Sequence, residues 1–455
     1  MKINDEYIVK IEKMLFGGSA IARVDDFPLF IDGVCPDDKV KVSIKKINKN
    51  YAIAELIEII EESKYRVKPI CSLHNVCGSC DWQYIEYNEQ LKQKQNIIKE
   101  TLSKIAGYYG EVLETIPSPK IHEYRCKVQS PVAQTRVSKR ILSGYYKKNS
   151  HELINIKYCP MQPNIINELN EFIKDKAQEL GLTGYNEKNH SGLLRHFVYR
   201  LSSDYSQILT ILVVNTEKET KELNQLAKKI QLKFPQVVGV CLNFNTARTN
   251  VILGMKTIPI IGNDYYIENL SGIKYKVSAN SFFQVNPLCA EKIFGIVKKL
   301  ISERINNPTI LDAYSGVSSF GVWLSSIASK ITSIEEVVSA SNDAKFNLEI
   351  NNINNLEVIN GDAAIEFKKL IDKGVKFDVS VTDPPRKGCS DESINNLIAL
   401  TKKFIVYVSC NVSTLARDMK ILNDNGFKTV YVRGADMFPN TYHVETIVLF
   451  EKIYA

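Results

Sequence analysis

The sequence predicts a multidomain α/β protein, and three observations carry that expectation. Residues 1–62 alternate short polar and apolar runs at close spacing, as the strands of a small closed β-barrel of the oligonucleotide-binding kind do. From about residue 276 onward strand-like and helix-like runs alternate, which implies a doubly wound parallel sheet. The stretch between them mixes both periodicities without an internal repeat, as an α+β domain would. At 455 residues the chain is too long for one ordinary core, and three segments, 1–62, 63–275 and 276–455, fit its length.

In the barrel, strands are expected at residues 6–13, 19–23, 28–31, 39–48 and 51–60, with Gly17-Gly18, Asp25-Asp26 and Pro36-Asp37-Asp38 as turns. Residues 88–106 bring Leu91, Gln95, Ile98, Leu102 and Ile105 to one helical face. Residues 165–180 and 217–234 read as amphipathic helices, and 124–132, 141–146, 196–201, 207–214 and 239–244 as strands. The final third offers five strands, at 309–314, 330–335, 356–359, 377–382 and 404–408, and an antiparallel edge pair at 428–432 and 445–453.

Hydrophobic residues make up 44% of the chain, enough for each domain to bury an interior. The N-terminus has no apolar leader, and no run of 18 or more apolar residues is present to span a bilayer. A cytoplasmic protein without membrane contact is therefore expected. The net charge of +7 says little by itself. Its distribution says more: residues 120–160 hold nine Lys and Arg against Glu123 and Glu152, an excess equal to that of the whole chain. Tyr124, Tyr145, Tyr146 and Tyr158 interleave with them, offering stacking faces beside phosphate-binding cations.

Ten cysteines without a secretory leader point to metal binding or catalysis rather than disulfides. Cys35, Cys126, Cys241 and Cys289 read as plain buried thiols. Cys71, Cys77 and Cys80 form C-x5-C-x2-C, and Cys159 precedes Pro160 far downstream. Four thiolates can complete a tetrahedral zinc site or a cubane iron-sulfur cluster, and spacing does not choose between them. Cys410 ends an apolar strand-like run, the position of a nucleophile. A helix expected from about Ser413 would point its positive end at the sulfur and lower its pKa.

The turn Leu311-Asp312-Ala313-Tyr314-Ser315-Gly316-Val317-Ser318-Ser319-Phe320 links the first strand of the C-terminal sheet to a helix, where small residues let backbone approach a ligand. Glu335 lies 19 residues beyond Gly316 and can accept both hydroxyls of a ribose. Ser318 stands where a second glycine is usual, so the turn alone is a weak signal.

Asp383-Pro384-Pro385-Arg386-Lys387-Gly388, Ser409-Cys410-Asn411, His443-Val444-Glu445-Thr446 and Ser281-Phe282-Phe283-Gln284-Val285-Asn286 together resemble the RNA uracil-5-methyltransferase family. The likeness covers essentially the whole chain, and residues 18–40 resemble its TRAM domain. It implies a TRAM barrel, a central iron-sulfur and RNA-binding domain, and a Rossmann-like, S-adenosyl-L-methionine-dependent methyltransferase domain. By that resemblance Cys410 adds to carbon 6 of uracil and Glu445 is the base that removes the carbon-5 proton. Tyr314, Ser319, Glu335, Asp362 and Gln284 would line the cofactor; Asp383 joins them and would also accept a bond from the uracil ring nitrogen. Phe282 and Phe283 are candidates to stack on a splayed base. Cys71, Cys77, Cys80 and Cys159 would ligate a 4Fe-4S cluster.

The expected substrate is a uridine of 23S rRNA, in a loop or flipped out of a helix, and the expected state is a monomer. Transfer RNA is the second substrate to weigh. A cytosine-5 methyltransferase or a non-catalytic iron-sulfur RNA-binding factor would share some of these features.

Overall fold

The computed structural model of the chain describes residues 1–453. Its N-terminal barrel has six strands, because the first expected strand is broken. Glu6–Lys10 pairs antiparallel with Lys39–Ile47, whereas Lys13–Met14 pairs with Ala20–Val24. Between them the Ile11 amide donates to Asp38 and the Glu12 amide to Ile21. One bent strand therefore joins both edges of the sheet and closes the barrel, which removes its exposed edges. Phe27–Ile31 and Ala52–Glu61 complete the wall, around a core that includes Ile11, Leu29, Ile31, Val40, Val42 and Ile44.

The central domain is a seven-stranded sheet in the order Leu153–Asn155, Ile141–Tyr146, Lys127–Gln134, Leu194–Leu201, Ile208–Val214, Val237–Phe244, Lys256–Gly262. Only the pair joined through helix Lys221–Lys233, Ile208–Val214 with Val237–Phe244, is parallel, since a parallel pair needs a crossover. Alternate side chains serve two cores. Phe197 and Tyr199 pack under helices Asn164–Glu179 and Lys221–Lys233, while Val198, Leu209 and Ile211 pack with Tyr275 and with Phe283 of the following domain.

The C-terminal sheet has eight strands in the order Leu356–Asn360, Lys330–Glu335, Thr309–Ala313, Phe377–Thr382, Thr401–Ser409, Glu445–Lys452, Phe427–Ala435, Leu113–Ile116. The first five are mutually parallel, and Glu445–Lys452 runs antiparallel between its neighbours. Strand order reverses between Thr309–Ala313 and Phe377–Thr382, which is where a doubly wound sheet opens a crevice beyond its carboxyl ends.

The far edge strand, Leu113–Ile116, comes from early in the chain. It follows helix Tyr87–Ala106, which is capped by the Glu86 side chain and ended by left-handed Gly107. Ile97, Ile98 and Leu102 of this helix share a core with Leu415, Ala416 and Met419 of helix Val412–Asp424. Among the described residues no helix is long and apolar enough to cross a membrane.

Candidate active site

A cleft of about 550 Å³ opens at the switch point, within the size range of small-molecule sites. Gln284, Tyr314, Glu335, Asp362, Asp383, Cys410 and Glu445 all line it. Residues separated by up to 161 positions thus meet at the ends of neighbouring strands. Ser319 does not join them: it opens helix Ser319–Leu324, and its carbonyl accepts the Tyr275 hydroxyl at 3.2 Å.

One wall is the turn after Thr309–Ala313. Tyr314, Gly316 and Ser318 all adopt left-handed backbone, with φ of 58°, 58° and 59°. For the two non-glycine residues that conformation costs on the order of 1–3 kcal/mol each. Ser318 is fully buried, and its hydroxyl shares a 2.7 Å bond with Ser333. Serine can therefore stand where glycine is usual because the polar group it adds is satisfied. The strained turn aims the Gly316 amide at Glu335 Oε2, at 2.8 Å, while the Val337 amide holds Oε1 at the same distance. Both carboxylate oxygens are fixed, each with a further lone pair to offer. Asp362 caps helix Ala363–Asp372 through the Ile365 amide, at 3.2 Å.

The opposite wall carries Cys410, Asp383 and Glu445. Cys410 lies between strand Thr401–Ser409 and helix Val412–Asp424. Asn411 caps that helix through the Ser413 amide and donates its own amide to the Arg386 carbonyl at 3.1 Å, tying the cysteine turn to the proline turn. The helix terminus does not lower the thiol pKa as expected. Burial, reinforced by the charges of Glu445 and Asp383, pushes Cys410 up to about 11, with Arg386 opposing. Desolvation and two carboxylates all disfavour the thiolate.

Those carboxyls are raised as well. Glu445 is driven up by burial and then by Asp383, with Arg386 opposing. Asp383 is driven up by burial and then by Asp312, and the Gln284 amide opposes this by donating to it at 3.2 Å. The cleft so gathers a thiol and two proton-accepting groups around a single guanidinium.

Among the lining residues that the sequence reading gave no role are Arg386, Phe438 and His443. Their signal was proximity, since Arg386 and His443 sit inside motifs already recognised. Burial and Arg386 push His443 down to about 4, so its ring is neutral. The loop bearing Phe438 and His443 is anchored from helix Tyr87–Ala106: Lys94 reaches Asp436 at 2.5 Å, and Gln90 accepts the Asn440 amide at 2.9 Å. Phe282 is 55% exposed beside the cleft, whereas Phe283 is 2% exposed and belongs to the core, so only the former is placed to meet a base.

The basic stretch is only partly a binding surface. Tyr124 is buried, Arg125 donates to the Ser79 carbonyl, and Lys147 and Lys148 pair with Glu152 and Asp32. Of its four tyrosines only Tyr158, at 55%, is strongly exposed. Cys35, Cys126, Cys241 and Cys289 are buried free thiols, as expected. Cys389 is buried too and receives the Tyr407 hydroxyl at 3.8 Å.

A second, smaller pocket is lined by Cys71, Cys77, Cys80 and Cys159 together with Leu73, His74, Tyr145 and Tyr158. The distant cysteine is therefore beside the other three. Among the described residues no group of three or more Cys, His, Asp or Glu is drawn close enough to hold a metal ion.

The tRNA (Uracil-5-)-methyltransferase family profile matches residues 86–453, and that of the TRAM domain matches residues 2–57. An RNA methyltransferase of Oceanobacillus iheyensis is 37% identical over 452 residues, covering 98% of this chain and 96% of its own. One from Clostridium acetobutylicum is 37% identical over 456 residues, covering 100% and 98%. The chain belongs to the RNA uracil-5-methyltransferase family and is a TRAM-containing RNA methyltransferase. Its fold is also that of a Pyrococcus abyssi tRNA (uracil-54, C5)-methyltransferase solved with S-adenosyl-L-homocysteine. That structure superposes with a TM-score of 0.75 at 23% identity, over 98% of this chain and 100% of the other.

Proposed function

We propose that the enzyme methylates carbon 5 of a uridine in 23S rRNA, using S-adenosyl-L-methionine and a covalent Cys410–uracil adduct. The convergence of Cys410, Glu445 and Asp383 in one cleft with Glu335 and Asp362 carries this reading. Bound against Glu335, Asp362, Tyr314 and Gln284, the cofactor supplies the methyl group.

Carbon 5 of uracil is a poor nucleophile. The Cys410 thiolate bonds to carbon 6, the ring double-bond electrons move toward carbon 5 and oxygen 4, and carbon 5 accepts the methyl group. Glu445 then takes the carbon-5 proton; those electrons restore the double bond and expel the thiolate. Asp383 faces the ring nitrogen, and its raised affinity for a proton suits a hydrogen bond there. Neutral His443 and Phe438 complete a wall that excludes water from the reacting atoms. Since the resting thiol is protonated, its proton must pass to a neighbouring base as the pyrimidine arrives.

Four thiols lining one pocket could ligate either zinc or a cubane cluster; the family resemblance favours a 4Fe-4S cluster, whose part would be to brace the RNA-binding domain. Transfer RNA is the second reading, favoured by the full-length likeness in fold to the Pyrococcus enzyme. Mapping 5-methyluridine in both RNAs from a strain lacking the gene decides between them: loss from 23S rRNA supports the proposal, and loss from tRNA alone overturns it. A Cys410→Ala variant that still methylates would end the covalent mechanism.

A further inference from the structure

Lys127 and Arg200 are directly paired across two antiparallel strands, Lys127–Gln134 and Leu194–Leu201. Residues so paired point to the same face, with Cβ atoms about 5 Å apart, and like charges there repel. Neither has a carboxylate partner among the described residues: no ion pair or hydrogen bond involves either side chain, and Arg200 Nε is buried without an acceptor. Arg200 is only 2% exposed. A buried guanidinium without a counter-charge is costly, and a second cation beside it makes it more so.

Asp343, whose charge favours the Arg200 cation, makes no ion pair with it and is already engaged. Asp343 accepts from the Ser278 amide and hydroxyl and the Ser281 hydroxyl, and pairs with Lys276. Burial and then Arg200 push Lys127 down to about 7, since both disfavour its charged form.

The location gives that anion a source. Lys127 Nζ lies 5.8 Å from the ring centroid of Phe282, the exposed aromatic at the cleft edge. The amide of the adjoining Cys126 donates to the Val285 carbonyl at 2.8 Å, fixing this strand end against the segment that carries Gln284. We propose that Lys127 and Arg200 form the seat for one RNA backbone phosphate flanking the target nucleotide, with Phe282 stacking on an adjacent base. This rests on the RNA substrate proposed above and adds the residues that hold its strand at the mouth of the cleft.

The test measures binding of a labelled uridine-containing single-stranded RNA to the whole enzyme across a salt series. Each phosphate contact contributes about 0.7 to the slope of log affinity against log salt for a single strand. Lys127→Met and Arg200→Gln should each weaken binding about tenfold and flatten the slope by about that amount, while Lys127→Arg retains it. S-adenosyl-L-methionine affinity without RNA should stay unchanged; a loss there would assign the pair to the cofactor carboxylate and overturn the proposal. An unaltered slope in Lys127→Met would also overturn it, and that variant decides alone if Arg200→Gln fails to fold. Wild-type formation of 5-methyluridine, measured separately, keeps failure of the seat distinct from failure of the function.

Discussion

The catalytic cleft and the cysteine pocket are both assembled from residues far apart in sequence, yet they are held open by different means. In the cleft nearly every functional group is fixed by the fold: Glu335 by two amides, Asp362 and Asn411 as helix caps, and Gln284 against Asp383. In the cysteine pocket the frame holds backbone rather than thiols: the Cys71 amide donates to Gln83, the Cys77 amide to the Leu73 carbonyl and the Cys159 amide to Asn167. Cys71, Cys77 and Cys80 lie in a segment with almost no regular structure, and their thiols are not gathered on a centre. Preorganisation belongs to a site whose geometry must be exact at the moment of reaction. A structural cluster can instead bring its own ligands into place.

The largest effects should fall in the cleft. Cys410→Ala should reduce methyl transfer by more than about 10³-fold, as loss of a covalent nucleophile does, with RNA affinity retained; single-turnover assays with labelled cofactor and a filter-binding titration check both halves. Glu445→Gln should slow product formation by about 10²–10⁴-fold and let the enzyme–RNA adduct accumulate as a band that survives denaturing electrophoresis. A turnover-competent Glu445→Gln with no such band would place the base elsewhere.

The pocket makes the contrasting prediction. Cys77→Ser should lower bound iron and destabilise the protein by about 4 kcal/mol, the scale expected when a structural metal is lost, while leaving cofactor affinity intact. Iron analysis after anaerobic purification, a denaturant midpoint and cofactor calorimetry read the three parts. Stoichiometric zinc without iron in the wild type would break the contrast at its root.

How much of this was legible in the sequence depended on range. The parallel strands announced themselves as short apolar runs, and Cys410, Glu445 and the candidate cofactor carboxylates sat in short motifs at strand ends. The bend at Ile11-Glu12 was invisible because alternation continues across it while the hydrogen-bond partner changes. Strand Leu113–Ile116 was missed because its four residues have no pattern apart from the distant strand they join. The thiol pKa was misjudged for the same reason. The helix that would lower it is adjacent in sequence, whereas the burial that chiefly raises it, and the charges of Glu445 and Asp383, arrive from elsewhere in the chain.

That electrostatic balance predicts a moderate effect. Cys410 and Glu445 both bind their protons more tightly than usual, and both must lose one in the proposed cycle, so kcat should climb with pH from neutrality into the alkaline range. Arg386 is the cation that opposes both shifts. Arg386→Gln should move the rising limb further alkaline by about one pH unit, an approximately tenfold loss at fixed neutral pH. An unmoved profile would mean that the bound RNA, not Arg386, sets the ionisation.

The smallest effect should come from Ser319. Its carbonyl, not its hydroxyl, makes the bond to Tyr275, and its side chain stays out of the cleft that Tyr314, Gly316 and Glu335 line. Ser319→Ala preserves that carbonyl and the start of the helix, so stability should change by no more than about 0.5 kcal/mol and cofactor affinity by less than about twofold. Ser318→Ala, one position earlier, removes the hydroxyl bonded to Ser333 beneath the strained turn and should cost about 1–2 kcal/mol. A large loss of cofactor affinity in Ser319→Ala, with Ser318→Ala unaffected, would show that the turn swings when the cofactor binds, making the cleft less rigid than its hydrogen bonds imply.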